Sequence, residues 1–402
     1  MKCLFTFIFI VVIKTAFAQT YAITADALID GSSDQPLKNP TVIIRNKKIV
    51  EVNFNNKIPD SAIVINLKGH TLLPGMMDVH THLLADGGDY EKDLYGHSPS
   101  YRAVRAVKYL NAALQNGFTT LRDVCSEGAG FADVDIARSI DSGFVAGPKV
   151  IPAGKGIAAT GMYYPLAYAQ NWELKLAAGT QYATGRDECI KAVREQVIAG
   201  VCWIKLYADW GLPTFSLEEM KAVVDEAKKY HVNVAAHATS KEGIKMAIQA
   251  GVRSIEHGDG FDDELIKLAA DNHVFWSPTL SVYEYFKYPL DTTYKYLNKA
   301  YKQKVKIVLG TDIGSYPWEN NEAKELEYLV KKAALKPMDA IKAATSNPAE
   351  LLNLQAKSGQ IKAAFNADII AVKGNPLDDI TLLQHVDFVM KAGTVYKTPG
   401  GK

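Results

Sequence analysis

The chain has 402 residues, of which 48% are apolar and 22% are charged. This composition is typical of a globular protein and excludes a disordered or low-complexity chain. A formal net charge of +1 gives neither a basic surface for nucleic acid nor an acidic tail, so we expect a small-molecule substrate as the partner and no nucleic acid.

Residues 1–18 have the pattern of an export signal. Lys2 is positively charged, residues 4–13 are almost all apolar, and Ala16-Phe17-Ala18 forms a small-x-small cleavage site. The apolar run is about half of the roughly 20 residues that a membrane-spanning helix needs. We therefore expect cleavage after Ala18 and a periplasmic or secreted mature chain without membrane contact. A retained N-terminal anchor is the alternative.

Short β-type segments occur near both ends of the mature chain. In the N-terminal part, 19–70, they lie at 21–29, 41–52 and 64–67; in the C-terminal part, 357–402, they lie at 368–372 and 386–396. Their regular spacing, with turn residues between them, is typical of a small sheet. We expect both parts to pair into one composite β domain, and two separate sheets are the alternative.

Residues 71–356 alternate short apolar strands with amphipathic helices. The predicted strands are 72–79, 118–121, 150–153, 203–207, 232–236, 254–256, 274–277 and 306–309. Ser216 and Glu219 have the spacing of a capping box, and Gly200 and Gly251 lie where helix C-caps are expected. Strands that alternate with helices in this way predict a parallel sheet closed into a (β/α)8 TIM-type barrel.

Six ionisable residues lie in or directly after the predicted strands. They are His80, His82, Lys205, His237, His257 and Asp312. Each one alone has an ordinary explanation, as a hydrogen-bonded histidine, a paired lysine or a turn aspartate. Together they fall where barrel active sites lie, and burying such groups is costly unless they are paired or bind a metal. The joint pattern predicts a metal site.

This order of residues (HxH, Lys, His, His, Asp) resembles the amidohydrolase superfamily. Within it the chain is similar to the imidazolonepropionase-like and Xaa-Pro dipeptidase-like (prolidase-like) branch. The stretches that carry the resemblance are LPGMMDVHTH (73–82), GFTTLRDV (117–124), GIAATG (156–161), IKLYADW (204–210), AHA (236–238), IEHGD (255–259), GTD (310–312), AATSNPA (343–349) and NAD (366–368). The resemblance covers essentially the whole mature chain and implies a barrel flanked by the shared β domain.

The resemblance also implies two divalent metal ions. His80, His82 and Asp312 would bind the more buried ion, and His237 and His257 would bind the second. Imidazole and carboxylate ligands favour zinc, with iron, cobalt or manganese as alternatives.

Lys205 would be carboxylated by CO2, and the resulting carbamate would bridge the two ions. An ammonium group repels cations, whereas a carbamate is an anionic oxygen ligand.

The activity implied is hydrolysis of a C–N amide bond in a dipeptide or N-acyl amino acid by a metal-bridging hydroxide. Asp312 would act as general base and then as general acid. One alternative is a cyclic amidohydrolase or a ring deaminase, although Lys205 argues against deamination. Another is an inactive metal- or ligand-binding barrel, against which the presence of all six ligand positions argues.

Two further residues are candidates near the reacting atoms. Tyr207 lies two residues beyond Lys205 and so points the same way along an extended strand, where it could act in catalysis by hydrogen-bonding the substrate carbonyl. Packing is its alternative. Arg122 ends the second predicted strand and could bind a substrate carboxylate, or it could pair with Asp123 or another structural acid.

Tyr163 and Tyr164 follow Gly161 in a loop that we expect to contact substrate. Relatives of the dipeptidase type often carry Gly-His there, so this departure leaves substrate recognition open. The aromatic segment 283–288 is expected to line or cover the mouth of the site. Assembly into a homo-oligomer also stays open.

Overall fold

The computed structural model describes residues 19–162, 179–210 and 215–400. The predicted export signal, Tyr163 and Tyr164 lie outside the described residues. The strands are β1 (Thr20–Leu28), β2 (Leu37–Lys38), β3 (Thr41–Arg45), β4 (Lys48–Asn53), β5 (Ile63–Pro74), β6 (Met76–Thr81), β7 (Phe118–Asp123), β8 (Lys149–Pro152), β9 (Ile157–Ala158), β10 (Gln181–Tyr182), β11 (Trp203–Tyr207), β12 (Asn233–Ala238), β13 (Ser254–His257), β14 (Phe275–Ser277), β15 (Ile369–Lys373), β16 (Val386–Lys391) and β17 (Thr394–Lys397). The helices are α1 (Tyr90–Gly96), α2 (Pro99–Gln115), α3 (Ala132–Asp141), α4 (Gly185–Ala199), α5 (Leu217–Lys229), α6 (Lys241–Ala250), α7 (Asp263–Asp271), α8 (Leu280–Phe286), α9 (Asp291–Lys302), α10 (Lys324–Lys331), α11 (Pro337–Ala343) and α12 (Ser346–Leu351), with a 3-10 helix at Ile380–Gln384.

Strands from both ends of the chain lie in one mixed sheet. Its order is β17-β16-β15-β5-β1-β3-β4, with β2 paired to β1. The long strand β5 runs parallel to β1 and antiparallel to β15, and so connects the N-terminal strands to the C-terminal ones.

The other strands form two parallel sheets, β6-β7-β8 and β10-β9-β11-β12-β13-β14. Along β11-α5-β12-α6-β13-α7-β14 each strand is followed by a helix, which returns the chain to the start of the next parallel strand.

The expected strand at 306–309 is only partly formed. It makes one isolated parallel bridge, from Ile307 to Trp276, because the backbone N–H of Leu309 donates to Ala343 instead of to a neighbouring strand. Hydrogen bonds nevertheless join the segment to both neighbours: Trp276 N–H donates to Lys306 O across 3.0 Å, and Val79 N–H donates to Leu309 O across 3.0 Å.

The predicted strand 72–79 is divided at Gly75. Residues up to Pro74 belong to β5 of the mixed sheet, and β6 begins at Met76. A side chain at position 75 would lie 2.2 Å from the Thr119 hydroxyl, so the close approach of β7 requires glycine there. The segment predicted at 64–67 is also longer than expected, since β5 continues to Pro74.

The predicted helix ends are confirmed. Ser216 and Glu219 form a reciprocal capping box at the start of α5. Gly200 and Gly251 end α4 and α6 in the left-handed conformation that favours glycine.

A cluster of buried apolar side chains joins strands of the two parallel sheets. Its members include Met77, Val79, Ile151, Trp203, Ala235, Phe275 and Val308. The strands therefore share an apolar interior beneath the ends that carry the ionisable residues. Within the described residues, no helix has both the length and the apolar character that crossing a membrane would require.

Candidate metal centre

The six predicted ligands meet at one cavity of about 330 Å3. They are His80, His82, Lys205, His237, His257 and Asp312, and all six are buried. The residues come from β6 and the segment after it, from β11, β12 and β13, and from the segment after 306–309. Parallel strands bring their carboxyl ends to the same edge, which explains why residues far apart in sequence converge.

Two of these residues have left-handed backbone conformations. His257 has a φ of 69° and Asp312 a φ of 63°. Glu256 and His257 are adjacent on β13, and a regular strand would direct their side chains to opposite faces. The unusual backbone at His257 lets its imidazole reach the cavity, 4.9 Å from the His80 ring, while the Glu256 carboxylate also reaches His80.

A cation fits the atoms around His80. Among the described residues, Nε2 of His80 has no hydrogen-bond partner although the side chain is buried. One ligand atom each from His80, His257 and Asp312 lie within 4.8 Å of one another. Two imidazoles and a carboxylate form a donor set that divalent metal ions bind, so these residues form a candidate metal site.

His82 lies against the same carboxylate. Its Nε2 is 3.0 Å from Oδ1 of Asp312, and its Nδ1 is 3.2 Å from Oε1 of Glu127. Burial lowers the pKa of His82, but the hydrogen bond to Asp312 and the charge of Glu127 outweigh burial and raise the pKa to about 9. His82 therefore holds a proton in the metal-free protein, and a metal ion would have to displace it.

The other three histidines have lowered pKa values, which favour their neutral forms. Burial and the nearby Lys205 charge lower the pKa of His80 well below its ordinary value, and burial lowers the pKa of His257 to about 4. Burial and the neighbouring His257 lower the pKa of His237 as well. Neutral imidazoles offer the lone pairs that metal ions bind.

The pKa values of Lys205 and Asp312 are also shifted in directions that suit a metal site. Burial lowers the pKa of Lys205, which favours its neutral amine. Burial tends to raise the pKa of Asp312, but His80 and His82 outweigh it and hold the pKa below the usual range. The carboxylate is therefore an anion across the physiological range.

Arg122 is not placed at the cavity, so the substrate-carboxylate interpretation was wrong. The side chain is fully buried, and its Nη2 donates to Oε1 of Glu256 across 2.6 Å. Its Nε donates to the carbonyl of Val79 across 2.6 Å. The alternative of a structural acid as partner is the one observed, and that acid is Glu256 rather than Asp123.

Aromatic side chains form one wall of the cavity. Tyr207 lines it as expected, and its ring centroid lies 5.4 Å from that of His237. Trp210 stacks on the same imidazole at 4.8 Å. The prediction that segment 283–288 lines the site is confirmed for Tyr283, Phe286 and Tyr288.

Sequence reasoning missed two acids at this site. Glu127 lines the cavity and contacts His82, and Glu256 accepts a hydrogen bond from His80. The signal for Glu256 was its position directly before His257, on the face of β13 that also carries Ser254. Glu127 follows β7 by a few residues but lies outside any recognisable motif.

The chain matches the amidohydrolase family over residues 71–398. Ochratoxinase of Aspergillus niger is 30% identical over 439 aligned positions, which cover 97% of this chain and 89% of the relative. Imidazolonepropionase of Thermoplasma volcanium is 22% identical over 382 positions, 86% of each chain. A solved structure described as a Xaa-Pro dipeptidase with methionine bound in the active site is 33% identical, with a TM-score of 0.86 over 94% of this chain and 100% of that one. The chain therefore belongs to the amidohydrolase family and is a hydrolase acting on carbon–nitrogen bonds.

Proposed function

We propose that the protein is a metal-dependent hydrolase that cleaves the amide bond of a dipeptide or an N-acyl amino acid. The observation that carries the proposal is the buried Nε2 of His80, which faces Asp312 and His257 at the edge of one cavity. The similarity to a structure described as a dipeptidase, at 33% identity, supports a linear amide as the substrate.

Two zinc ions are the proposed cofactors. His80, His82 and Asp312 would hold the more buried ion, and His237 and His257 would hold the second. When bound, such ions lower the pKa of water and polarise a carbonyl.

Lys205 is proposed to carry a carbamate. Its neutral amine would form a bond to the carbon of CO2 and lose one proton, which turns a cation into an anionic oxygen ligand. Its burial and lowered pKa support this modification, since only the neutral amine is nucleophilic.

Asp312 is the proposed proton carrier. It would accept a proton from the attacking water and deliver it to the leaving nitrogen, because amine leaving groups depart readily only when protonated. Tyr207, on the cavity wall, would hydrogen-bond the scissile carbonyl as charge develops on its oxygen.

The substrate is proposed to carry an apolar or aromatic group. Phe286 and Tyr288 line the cavity and are 51% and 60% exposed, and Trp210, which lines the same cavity, is 55% exposed. Exposed aromatic rings around a catalytic cavity suit an apolar side chain, which would cover them on binding.

For the fold, we propose that residues 71–356 form a closed (β/α)8 barrel and that residues 19–70 and 357–402 form one composite domain. The hydrogen bonds that link 306–309 to Trp276 on one side and Val79 on the other support closure. The pairing of β5 with β15 supports the composite domain. Residues 1–18 remain the proposed export signal, with a periplasmic or secreted mature protein.

A hydrolysis screen tests the function. Mature protein loaded with zinc and bicarbonate would be offered dipeptides, N-acyl amino acids and cyclic amides. Asp312→Asn should lower turnover of linear substrates by orders of magnitude, whereas Asp378→Asn, the same change at an exposed loop residue, should leave it unchanged. Turnover of cyclic amides alone would favour a cyclic amidohydrolase, and near-normal activity of Asp312→Asn would refute the assigned role.

A further inference from the structure

A fully buried ion pair lies beside the metal centre. Arg122 and Glu256 are both 0% exposed, and Nη2 of Arg122 lies 2.6 Å from Oε1 of Glu256. The pair joins β7 of one parallel sheet to β13 of the other. Ser254 donates its hydroxyl hydrogen to the same Oε1 across 2.5 Å. Burying two charges is costly, so such a pair persists only where its hydrogen bonds are well satisfied.

The second oxygen of Glu256 contacts a proposed metal ligand. Oε2 lies 2.8 Å from Nδ1 of His80. A carboxylate that already accepts hydrogen bonds from Arg122 can only accept again, so Nδ1 of His80 must carry the hydrogen. The lone pair of His80 is then on Nε2, the atom that lies 3.5 Å from Oδ1 of Asp312.

We propose that Glu256, oriented by Arg122, is a positioning residue that fixes the tautomer and ring direction of His80 for metal binding. The carboxylate faces the guanidinium with one oxygen and the imidazole with the other, so a displacement of either partner turns His80 away from the centre. This inference rests on the proposed function only in taking His80 as a metal ligand.

The test measures zinc affinity of the full mature chain by competition with a chromogenic chelator. Glu256→Gln leaves one oxygen where there were two. If that oxygen faces Arg122, the amide NH2 faces His80. Nδ1 of His80 must then accept a hydrogen bond, so the ring hydrogen moves to Nε2 and removes the lone pair that would bind zinc. We expect zinc binding to weaken by about 10- to 100-fold, the range usual for groups that orient metal-bound histidines. Unchanged zinc affinity would overturn the proposal.

A double variant separates orientation from charge. In Arg122→Met with Glu256→Gln, only the Ser254 hydroxyl remains on the far side of position 256. A hydroxyl can accept from the amide NH2 as well as donate, so the amide oxygen can turn to accept from His80 again. We expect zinc affinity to recover to within a few-fold of the wild type. The double variant also removes both buried charges together, which protects folding if Glu256→Gln alone does not fold. A loss of zinc affinity as large as in the single variant would overturn the orienting role.

A matched control is Glu322→Gln, the same change at a buried acid that hydrogen-bonds Asn116 and not the ligands. Its zinc affinity should stay within about twofold of the wild type, whereas an equal loss in both variants would mean that removing any buried carboxylate weakens zinc binding and would overturn the specific role of Glu256. Zinc affinity is read without any substrate. If zinc binding weakens in Glu256→Gln as expected but the hydrolysis screen fails, only the substrate class is refuted. If substrates are hydrolysed but Glu256→Gln keeps its zinc affinity, only the role of Glu256 is refuted.

Discussion

Thr311 donates its hydroxyl hydrogen to Oδ2 of Asp78 across 2.5 Å, and its backbone N–H donates to Oδ1 of the same side chain across 3.2 Å. Oδ1 also accepts from the backbone N–H of His80 across 3.0 Å. Asp78 therefore ties the strand that carries His80 to the loop that carries Asp312. These side-chain bonds reinforce a direct backbone bond, in which Asp312 N–H donates to His80 O across 2.8 Å.

Thr311→Val should damage both stability and activity. The change keeps the shape of the side chain but leaves Oδ2 of buried Asp78 without that donor, which costs about 1–3 kcal/mol. Displacement of the Asp312 loop should lower kcat/KM by about 10- to 100-fold. Guanidinium unfolding and steady-state kinetics measure the two effects. Thr345→Val removes a buried hydroxyl bonded to Ile341 O and should leave kcat/KM unchanged; wild-type kinetics in Thr311→Val would contradict the expectation.

Zinc should stabilise the folded protein through His80. A ligand that binds only the folded state at about 100 times its Kd contributes about 2.7 kcal/mol, so the Tm of metal-free protein should rise on zinc addition and fall again with chelator. His80→Ala should lose most of this rise, while His385→Ala, at an exposed histidine, should keep it. A zinc-induced shift of equal size in both variants would argue against the site. Differential scanning calorimetry provides the measurement.

The contribution of Glu322 to stability should fall as pH rises from about 4.5 to about 7. Burial raises the pKa of this acid from an ordinary 4.5 to about 7, despite the hydrogen bond from Asn116. The folded state then binds the proton more tightly than the unfolded state over this interval, so deprotonation favours unfolding, by about 1.4 kcal/mol per pKa unit. Glu322→Gln should be more stable than the wild type at pH 8 and should lose part of the pH dependence. Denaturant unfolding at pH 5 and pH 8 tests this, with exposed Glu51→Gln as the control that should not differ from the wild type.

Phe286→Ala should change which substrates are hydrolysed. Removing this ring from the cavity wall should lower kcat/KM by about tenfold for dipeptides with an aromatic side chain, the scale of one aromatic contact. Dipeptides of glycine and alanine should be hydrolysed as by the wild type. Steady-state comparison of the two substrate sets measures the ratio, and equal losses for both would contradict an aromatic subsite.

Features set by local sequence could be predicted. His80 and His82 share a strand end, Ser216 and Glu219 cap a helix across one turn, and the HxH, Lys, His, His, Asp order marked the residues that meet at the cavity. Each of these depends on short-range geometry or on a motif. The predicted place of Tyr207 on the cavity wall followed from strand alternation alone.

Features set by distant partners could not be predicted. The pairing of Arg122 with Glu256 spans 134 positions, and the sequence offered several acids of equal merit. The loss of a full strand at 306–309 depends on Leu309 bonding to Ala343, which belongs to a helix that no strand pattern contains. The inward turn of His257 depends on a left-handed backbone, which a period of two does not describe.

The pairing of β5 with β15 bears on how a newly made chain reaches its active form. All six proposed ligands lie between positions 80 and 312, yet β5 leads into β6 through Gly75 and is hydrogen-bonded to β15 from Ile369↔Pro74 to Lys373↔His70. A chain released by the ribosome at residue 356 would contain every ligand and still leave that edge of β5 unpaired. Exposed strand edges of this kind recruit other chains. Premature termination should therefore yield aggregates rather than a smaller enzyme.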